Sequence, residues 1–149
     1  MQEDTFQKFH ISVKAVLKYQ NEFLVLSVGR KYKNYGKIDL PGGRVNYGEM
    51  IEDVLIRELN EEIGLKIEHK DYELIGLNQR YNYFFFEKDK VCMCEIYYLI
   101  KLENKPQIFL SEEHNHFEWI TPSTDLTKFG YKSESHGELI SKFKAIICK

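Results

Sequence analysis

Two segments between His10 and Val28 have the apolar patterns of β-strands. Between His10 and Leu17, every second side chain is apolar, which places Ile11, Val13 and Ala15 on one face with Leu17. A polar stretch at 19–22 then leads to a second apolar run at 23–28. Two such runs joined by a short polar turn predict a β-hairpin.

The spacing of apolar residues becomes helical between Glu49 and Ile63. Apolar side chains recur three and four positions apart and form one stripe, made by Ile51, Val54, Leu55, Leu59 and Ile63. Gly64 follows directly, where helices commonly end in a left-handed residue. A break at Pro41-Gly42-Gly43 separates this segment from the short apolar run before it. The pattern therefore predicts one central helix between two loops.

The second half of the chain contains the signals of several strands and of one more helix. The predicted strands are 72–77, 80–86, 91–102 and 117–120, with the charged stretch 87–90 as a tight connection and a terminal helix at 136–147. Strands around two helices, joined by hairpins as well as crossovers, predict an α/β sandwich with a mixed sheet. Because no repeat or low-complexity linker divides the chain, we expect a single domain over residues 1–149.

Composition and charge exclude several classes of protein. The chain has 149 residues, of which 43% are hydrophobic, enough for one buried core. Its formal charge of −2 supplies no broad basic surface for long nucleic acid. No apolar run approaches the roughly 20 residues that span a bilayer, and the polar, acidic start is unlike a signal peptide. We therefore expect a cytoplasmic protein, a monomer or homodimer, that acts on a small ligand.

Three glutamates of the central helix lie on or beside its apolar face. A helix with a purely structural role would carry its acidic residues on the opposite, solvent-facing side. At about 100° per residue, Glu58, Glu61 and Glu62 converge, with the first and last inside the apolar face and Glu61 at its edge. Partial burial removes the water that would screen their repulsion. Clustered carboxylate oxygens are the ligands that Mg²⁺ prefers. A solvated acidic face with ordinary ion pairs is the alternative for these three residues taken alone.

The wider spacing around these glutamates is highly specific. The stretch from Gly43 to Leu65 matches the pattern G-x5-E-x7-R-E-U-x-E-E-x-G-U, in which U is a large aliphatic residue, at every specified position. At residue frequencies of a few per cent each, a chance match in this chain is on the order of 10⁻⁸. The segment resembles the Nudix box, the signature of the Nudix hydrolase family.

The resemblance implies a fold, a cofactor and a role for individual residues. Nudix proteins are α/β/α sandwiches with a mixed sheet and a C-terminal helix, and their loop–helix–loop holds Mg²⁺ or sometimes Mn²⁺. Glu61 and Glu62 match two adjacent metal-binding glutamates, and Glu58 matches a glutamate that binds metal or acts as base. Arg57 matches an arginine that orients a catalytic glutamate. Gly42 matches a position whose backbone carbonyl joins the metal ligands.

Further candidates lie outside the motif. Relatives often recruit another acidic residue from a strand or loop, and the candidates for metal binding here are Glu95, Glu112 and Glu113; ordinary salt-bridged or solvated acids are the alternative. The candidates for substrate binding are three basic residues and one tyrosine: Arg30, Lys37, Arg44 and Tyr81. A solvated basic loop is the equal alternative for the basic residues. The isolated histidines, including His114, are interpreted as structural.

The leading hypothesis is a pyrophosphohydrolase, in which water attacks phosphorus in a nucleoside triphosphate or another nucleoside diphosphate derivative. Two alternatives stay open: hydrolysis of dinucleoside polyphosphates or nucleotide sugars, and a nucleotide-sensing Nudix domain without turnover. Sensing relatives commonly lose glutamates of the motif, whereas this chain keeps Glu58, Glu61 and Glu62. The sequence thus favours an enzyme.

Overall fold

The computed structural model of the protein describes residues 6–29, 31, 38–82 and 91–125. Within these ranges the chain forms seven strands, one α-helix and one short 3₁₀ helix at His69–Asp71. The strands and the α-helix are β1 (Phe9–Tyr19), β2 (Glu22–Val28), β3 (Ile38–Asp39), β4 (Gly42–Arg44), α1 (Ile51–Ile63), β5 (Glu73–Asn82), β6 (Val91–Lys101) and β7 (His114–Ile120). Among the described residues, no helix has the length and apolar character required to cross a bilayer.

The strands form one mixed sheet, as the sequence predicts. Its order is β3-β2-β1-β6-β5, with β4 paired to β1 and β7 paired to β2. β1 and β6 run parallel, from Phe9 beside Cys92 to Lys18 beside Lys101, and the other pairs are antiparallel. Parallel neighbours need a long crossover connection. The chain between β1 and β6 includes α1, so the crossover carries the helix with the candidate site.

β1 is buried on both faces, whereas its alternating pattern predicts only one buried face. Val13, Ala15 and Leu17 pack with α1 in one core cluster. Val16 lies on the opposite face, in a second cluster with residues of β2 and β6. Lys14 shares that second face and is also buried. β1 is therefore a central strand, because α1 covers one side of it and other apolar side chains cover the other.

β5 is one continuous strand, so the prediction of two strands at 72–77 and 80–86 is wrong. Backbone pairing with β6 extends from Glu73 beside Leu99 to Asn82 beside Val91, with an irregularity near Gly76. Asn78 lies between the two predicted strands, and it is buried within β5. Pairing with β6 overrides the local polarity there. Residues 83–90 and the predicted terminal helix at 136–147 lie outside the described residues.

The helix α1 has the predicted buried stripe and the predicted end. Val54, Leu55, Leu59 and Ile63 are all fully buried, and Gly64 adopts the left-handed conformation with φ of 70°. The helix begins at Ile51, not at Glu49. Glu49 instead belongs to the turn before it, where its backbone N–H donates to the carbonyl of Asn46 and its carboxylate accepts the Asn46 N–H.

Candidate active site

Two consecutive glycines bring the backbone of β4 against β1 and α1. Gly42 has φ of +146°, and a Cβ atom there would lie 2.0 Å from the carbonyl oxygen of Val13. A Cβ on Gly43 would lie 2.2 Å from a carboxylate oxygen of Glu58. At Gly42 only glycine permits this approach, because the neighbouring atom is backbone, whereas a side chain at Gly43 would displace the Glu58 carboxylate. The glycine turn therefore places backbone atoms directly beside the glutamates of the helix.

Glu62 is the most deeply placed acid of the motif. Its Oε2 accepts a hydrogen bond of 2.8 Å from the backbone N–H of Gly42, and the residue is only 6% exposed. Burial raises the pKa of this carboxyl to about 8, although the Gly42 hydrogen bond and the charge of Lys14 oppose the shift. Such a buried carboxylate is stable as an anion near neutral pH only with a cation close by.

Arg57 donates hydrogen bonds to three acids on the side of the site away from Glu62, which we call its outer side. Its Nε and Nη2 donate to the two carboxylate oxygens of Glu49 at 2.8 and 3.1 Å. Its Nη1 donates to Glu58 at 2.8 Å and to Glu61 at 3.2 Å. The hydrogen bonds with Glu49 are the largest cause of a raised pKa at Arg57 and of a lowered pKa at Glu49. One guanidinium thus fixes three carboxylates.

The three glutamates of the helix differ in burial. The side chain of Glu61 is 58% exposed and that of Glu58 is 14% exposed. Burial raises the pKa of Glu58, Arg57 opposes this shift, and the neighbouring Glu61 and Glu113 add to it. Within the part of the chain that the structure describes, no three His, Cys, Asp or Glu side chains are grouped closely enough to hold a metal ion. Arg57 and Gly42 hold these carboxylates instead.

The segment before β7 is attached to the C-terminal end of α1. The backbone N–H of Phe109 donates to the carbonyl of Ile63, and that of Ser111 donates to the carbonyl of Glu62. On the other side, the N–H of Gly29 donates to the carbonyl of Glu113. These bonds bring residues 111–114 beside the glutamates although about fifty positions separate them in the sequence.

Residues 8–143 match the family profile described as the NUDIX domain. This chain belongs to the Nudix family. A curated relative, the 8-oxo-dGTP diphosphatase of Escherichia coli (strain K12), is 30% identical over 63 residues, which are 42% of this chain and 49% of that protein. The match therefore spans about half the length of the curated relative.

Solved structures of Nudix proteins have the same fold. The MutT protein of Methanosarcina mazei Go1 superposes with a TM-score of 0.67 at 23% identity, over 97% of this chain and 94% of that one. The Ap4A hydrolase of C. elegans superposes with a TM-score of 0.65 at 19% identity, over 93% of this chain and 98% of that one. At these identities the likeness concerns the fold, and it confirms the predicted Nudix architecture.

The acidic candidates outside the Nudix box lie in three different surroundings. Glu113 is exposed and lies near enough to Glu58 to raise its pKa. Glu112 is exposed and lies 3.9 Å from the Nζ of Lys31. Glu95 is buried in β6, where its carboxylate accepts hydrogen bonds from Tyr97 Oη at 2.8 Å and Asn78 Nδ2 at 3.4 Å. Glu113 is thus the candidate that the fold brings beside the box.

Most substrate-binding candidates fall where the structure gives no side-chain description. Arg30 and Lys37 lie outside the described residues, and Tyr81 is described only as a backbone position of β5 beside Cys92. Arg44 ends β4, and its carbonyl oxygen accepts a hydrogen bond of 3.5 Å from Arg57. The backbone of Arg44 therefore helps to hold the arginine of the Nudix box, and its predicted substrate contact stays a prediction.

Two buried polar groups near the box were missed by sequence analysis. The Nζ of Lys14 lies 2.7 Å from Asp39 Oδ2; burial lowers the pKa of Lys14, but Asp39 outweighs it and the net shift is upward. The Nε2 of His114 lies 3.8 Å from Glu62 Oε1. Val16, two residues beyond Lys14 on the same face of β1, was the available sign that this face is buried. Nothing local marked His114.

Proposed function

We propose that this protein is a magnesium-dependent Nudix pyrophosphohydrolase that cleaves a diphosphate linkage in a nucleoside triphosphate or another nucleoside diphosphate derivative. The observation that carries the proposal is the environment of Glu62. Its carboxylate is nearly fully buried and accepts the hydrogen bond of Gly42, and Glu58 and Glu61 lie further out towards solvent. The pKa of Glu62 is raised, and the positive charge around it is too small to balance the carboxylates. A divalent cation supplies that charge.

The donor set fits a hard cation. The carboxylates of Glu58, Glu61 and Glu62 would hold it, with the carbonyl of Gly42 and the carboxylate of Glu113 as further oxygen donors. When bound, such a cation neutralises charge on the diphosphate and lowers the pKa of a bound water. Mg²⁺ is readily coordinated by such a set of oxygen ligands, and we expect that Mn²⁺ can take the place of Mg²⁺.

The other residues of the box hold the reacting acid in place. Arg57 donates to Glu58 while Glu49 fixes the other side of the guanidinium. Glu58 is partly buried with a raised pKa, which suits a carboxylate that accepts a proton from the attacking water. We therefore assign Arg57 to orientation and Glu58 to proton transfer or metal binding.

The comparisons guide the choice of substrate class. The curated relative from E. coli is named for a nucleoside triphosphate, 8-oxo-dGTP, which supports that class here. The similar Ap4A hydrolase is named for a dinucleoside polyphosphate, so this class belongs in the same test. A cytoplasmic location and a monomeric or dimeric state stay predictions.

The test is a hydrolysis panel with Mg²⁺ or Mn²⁺ that covers nucleoside triphosphates, ADP-ribose, nucleotide sugars and dinucleoside polyphosphates, with identification of the products. We expect release of a nucleoside monophosphate and no turnover after chelation. Glu62→Gln should lower turnover by about 100-fold, the upper range for disturbing a metal site. Glu52→Gln is the matched control, because Glu52 is exposed on the first turn of α1.

Two results would reject the proposal. One is the absence of hydrolysis across the whole panel with either ion, combined with no divalent binding in calorimetry when nucleotide is present. The other is Glu62→Gln hydrolysing at the wild-type rate under limiting Mg²⁺.

A further inference from the structure

The imidazole of His114 lies against Oε1 of the buried residue Glu62, the oxygen that the Gly42 N–H does not bind. His114 Nε2 and Glu62 Oε1 are 3.8 Å apart, and the two side chains are only 9% and 8% exposed. Gly42 occupies the other oxygen, Oε2. A separation of 3.8 Å is too long for a hydrogen bond. The two atoms therefore lie close together, on two largely buried side chains, without bonding directly.

The backbone holds His114 in this place independently of its ring. The N–H of Ser111 donates to the carbonyl of Glu62 at 2.9 Å, and the N–H of His114 donates to the carbonyl of Ser111 at 3.3 Å. β7 begins at His114 and pairs with β2 at Val28. The position of the ring beside Glu62 is thus a consequence of how the segment 111–114 attaches to the end of α1.

His114 does not have the bonding of a structural histidine. Among the described residues, its buried Nδ1 has no hydrogen-bond partner, and neither has the buried Oγ of Ser111. Buried polar atoms in native proteins are almost always satisfied. Histidine is a common metal ligand in proteins, and either nitrogen of the neutral imidazole can donate its lone pair to a metal ion.

We propose that His114 supplies a nitrogen ligand to the cation that Glu62 binds, and that this nitrogen raises the affinity of the site for first-row transition ions such as Mn²⁺ relative to its affinity for Mg²⁺. The inference rests on the proposed function. Metal–nitrogen and metal–oxygen bonds of about 2.1 Å each sum to more than the separation of Nε2 and Oε1, so one ion can contact both atoms. Imidazole suits transition ions, whereas Mg²⁺ is bound through oxygen.

The test uses Mn²⁺ alone as the probe. Pulsed electron paramagnetic resonance of the wild-type protein with bound Mn²⁺ should show coupling to a nitrogen-14 nucleus of imidazole. His114→Gln should abolish this coupling, and His116→Gln should keep it, because His116 lies exposed two residues further along β7. Calorimetry should show the ratio of Mn²⁺ to Mg²⁺ affinity falling about tenfold in His114→Gln and unchanged in His116→Gln.

Failure of this inference is distinguishable from failure of the proposed function. If Mn²⁺ binds and the enzyme turns over, but the wild-type spectrum has no nitrogen coupling, His114 is not a ligand and the hydrolase proposal stands. If neither ion binds even with nucleotide, both fall. Thermal unfolding without metal checks that His114→Gln folds. If this variant does not fold, the presence or absence of nitrogen coupling in the wild-type and His116→Gln spectra decides whether the inference stands.

Discussion

The acids of the Nudix box are stabilised in two different ways at the two sides of the site. On the outer side, Arg57 bonds to Glu49, Glu58 and Glu61, so positive charge from the chain itself accompanies them. On the inner side, Glu62 has one backbone hydrogen bond, His114 at 3.8 Å, and the charge of Lys14, which is itself paired with Asp39. The outer carboxylates thus have a direct ion-pair partner within the chain, whereas the inner carboxylate has none in direct contact.

This difference separates residues that arrange the site from those that need a ligand. The outer acids are already ion-paired, so their arrangement depends on one arginine. The inner acid is desolvated, and folding places it where its ionised form is unfavourable. Proteins retain such arrangements mainly at functional sites, where perturbed pKa values cluster. The predictions below test each side of the site separately.

The largest effect is expected from removing the positive charge of the outer side. Arg57→Ala should lower kcat by about 10- to 100-fold and change KM less, because Glu58 loses the donor that orients it while substrate contacts remain. Steady-state kinetics measure both constants. Arg57→Lys should restore little, because an ammonium cannot bond to both oxygens of Glu49 while also reaching Glu58. An increase in KM with unchanged kcat would assign Arg57 to substrate binding.

A smaller effect is expected where the glycine turn meets Glu58. A Cβ on Gly43 would overlap the Glu58 carboxylate, and this flexible side chain can move away at little cost in stability. Gly43→Ala should therefore lower kcat by about tenfold through misplacement of one group, with a melting temperature close to that of the wild type. Gly76→Ala is the matched control, since nothing lies within 4 Å of its added Cβ. An equal kcat in the Gly43→Ala and Gly76→Ala variants would show that the close contact between Gly43 and Glu58 does not affect turnover.

The local pattern was sufficient to predict the parts of the site that lie within one element. The spacing of the Nudix box predicted the helix, its left-handed end at Gly64 and the family, and these are confirmed. Glu61 is exposed and Glu62 is buried in the structure, as their angular positions on the helix indicate. A helical period carries this information because each side chain direction follows from its position in the repeat.

Contacts between distant segments could not be predicted in the same way. Lys14 is buried where β6 and β4 pair with β1 on its two sides, which depends on the order of strands in the sheet. His114 reaches Glu62 because the segment before β7 bonds to the end of α1. β5 continues through Asn78 because β6 pairs with it along its whole length. In each case the sheet topology, not the local sequence, decides the environment.

The last prediction concerns stability instead of turnover, and it isolates the inner side of the site. Burial raises the pKa of Glu62 to about 8, from the ordinary value of 4.5 that the unfolded chain has. Between these values the folded protein keeps a proton that the unfolded chain releases, so this contribution to stability is present below about pH 4.5 and lost as the pH rises through 8. Metal-free wild-type protein should therefore lose melting temperature over this interval relative to Glu62→Gln, which keeps an oxygen for the Gly42 N–H and has no proton to release.

Melting curves of the two proteins in chelator, from pH 4.5 to 8, measure this difference. Glu58, whose pKa is also raised, titrates in both proteins, so the difference between the two curves reports the ionisation of Glu62 together with its repulsion of Glu58. Parallel curves would mean that Glu62 finds a compensating charge within the chain. The inner carboxylate would then be paired like the outer ones, and its burial would no longer argue for a bound cation.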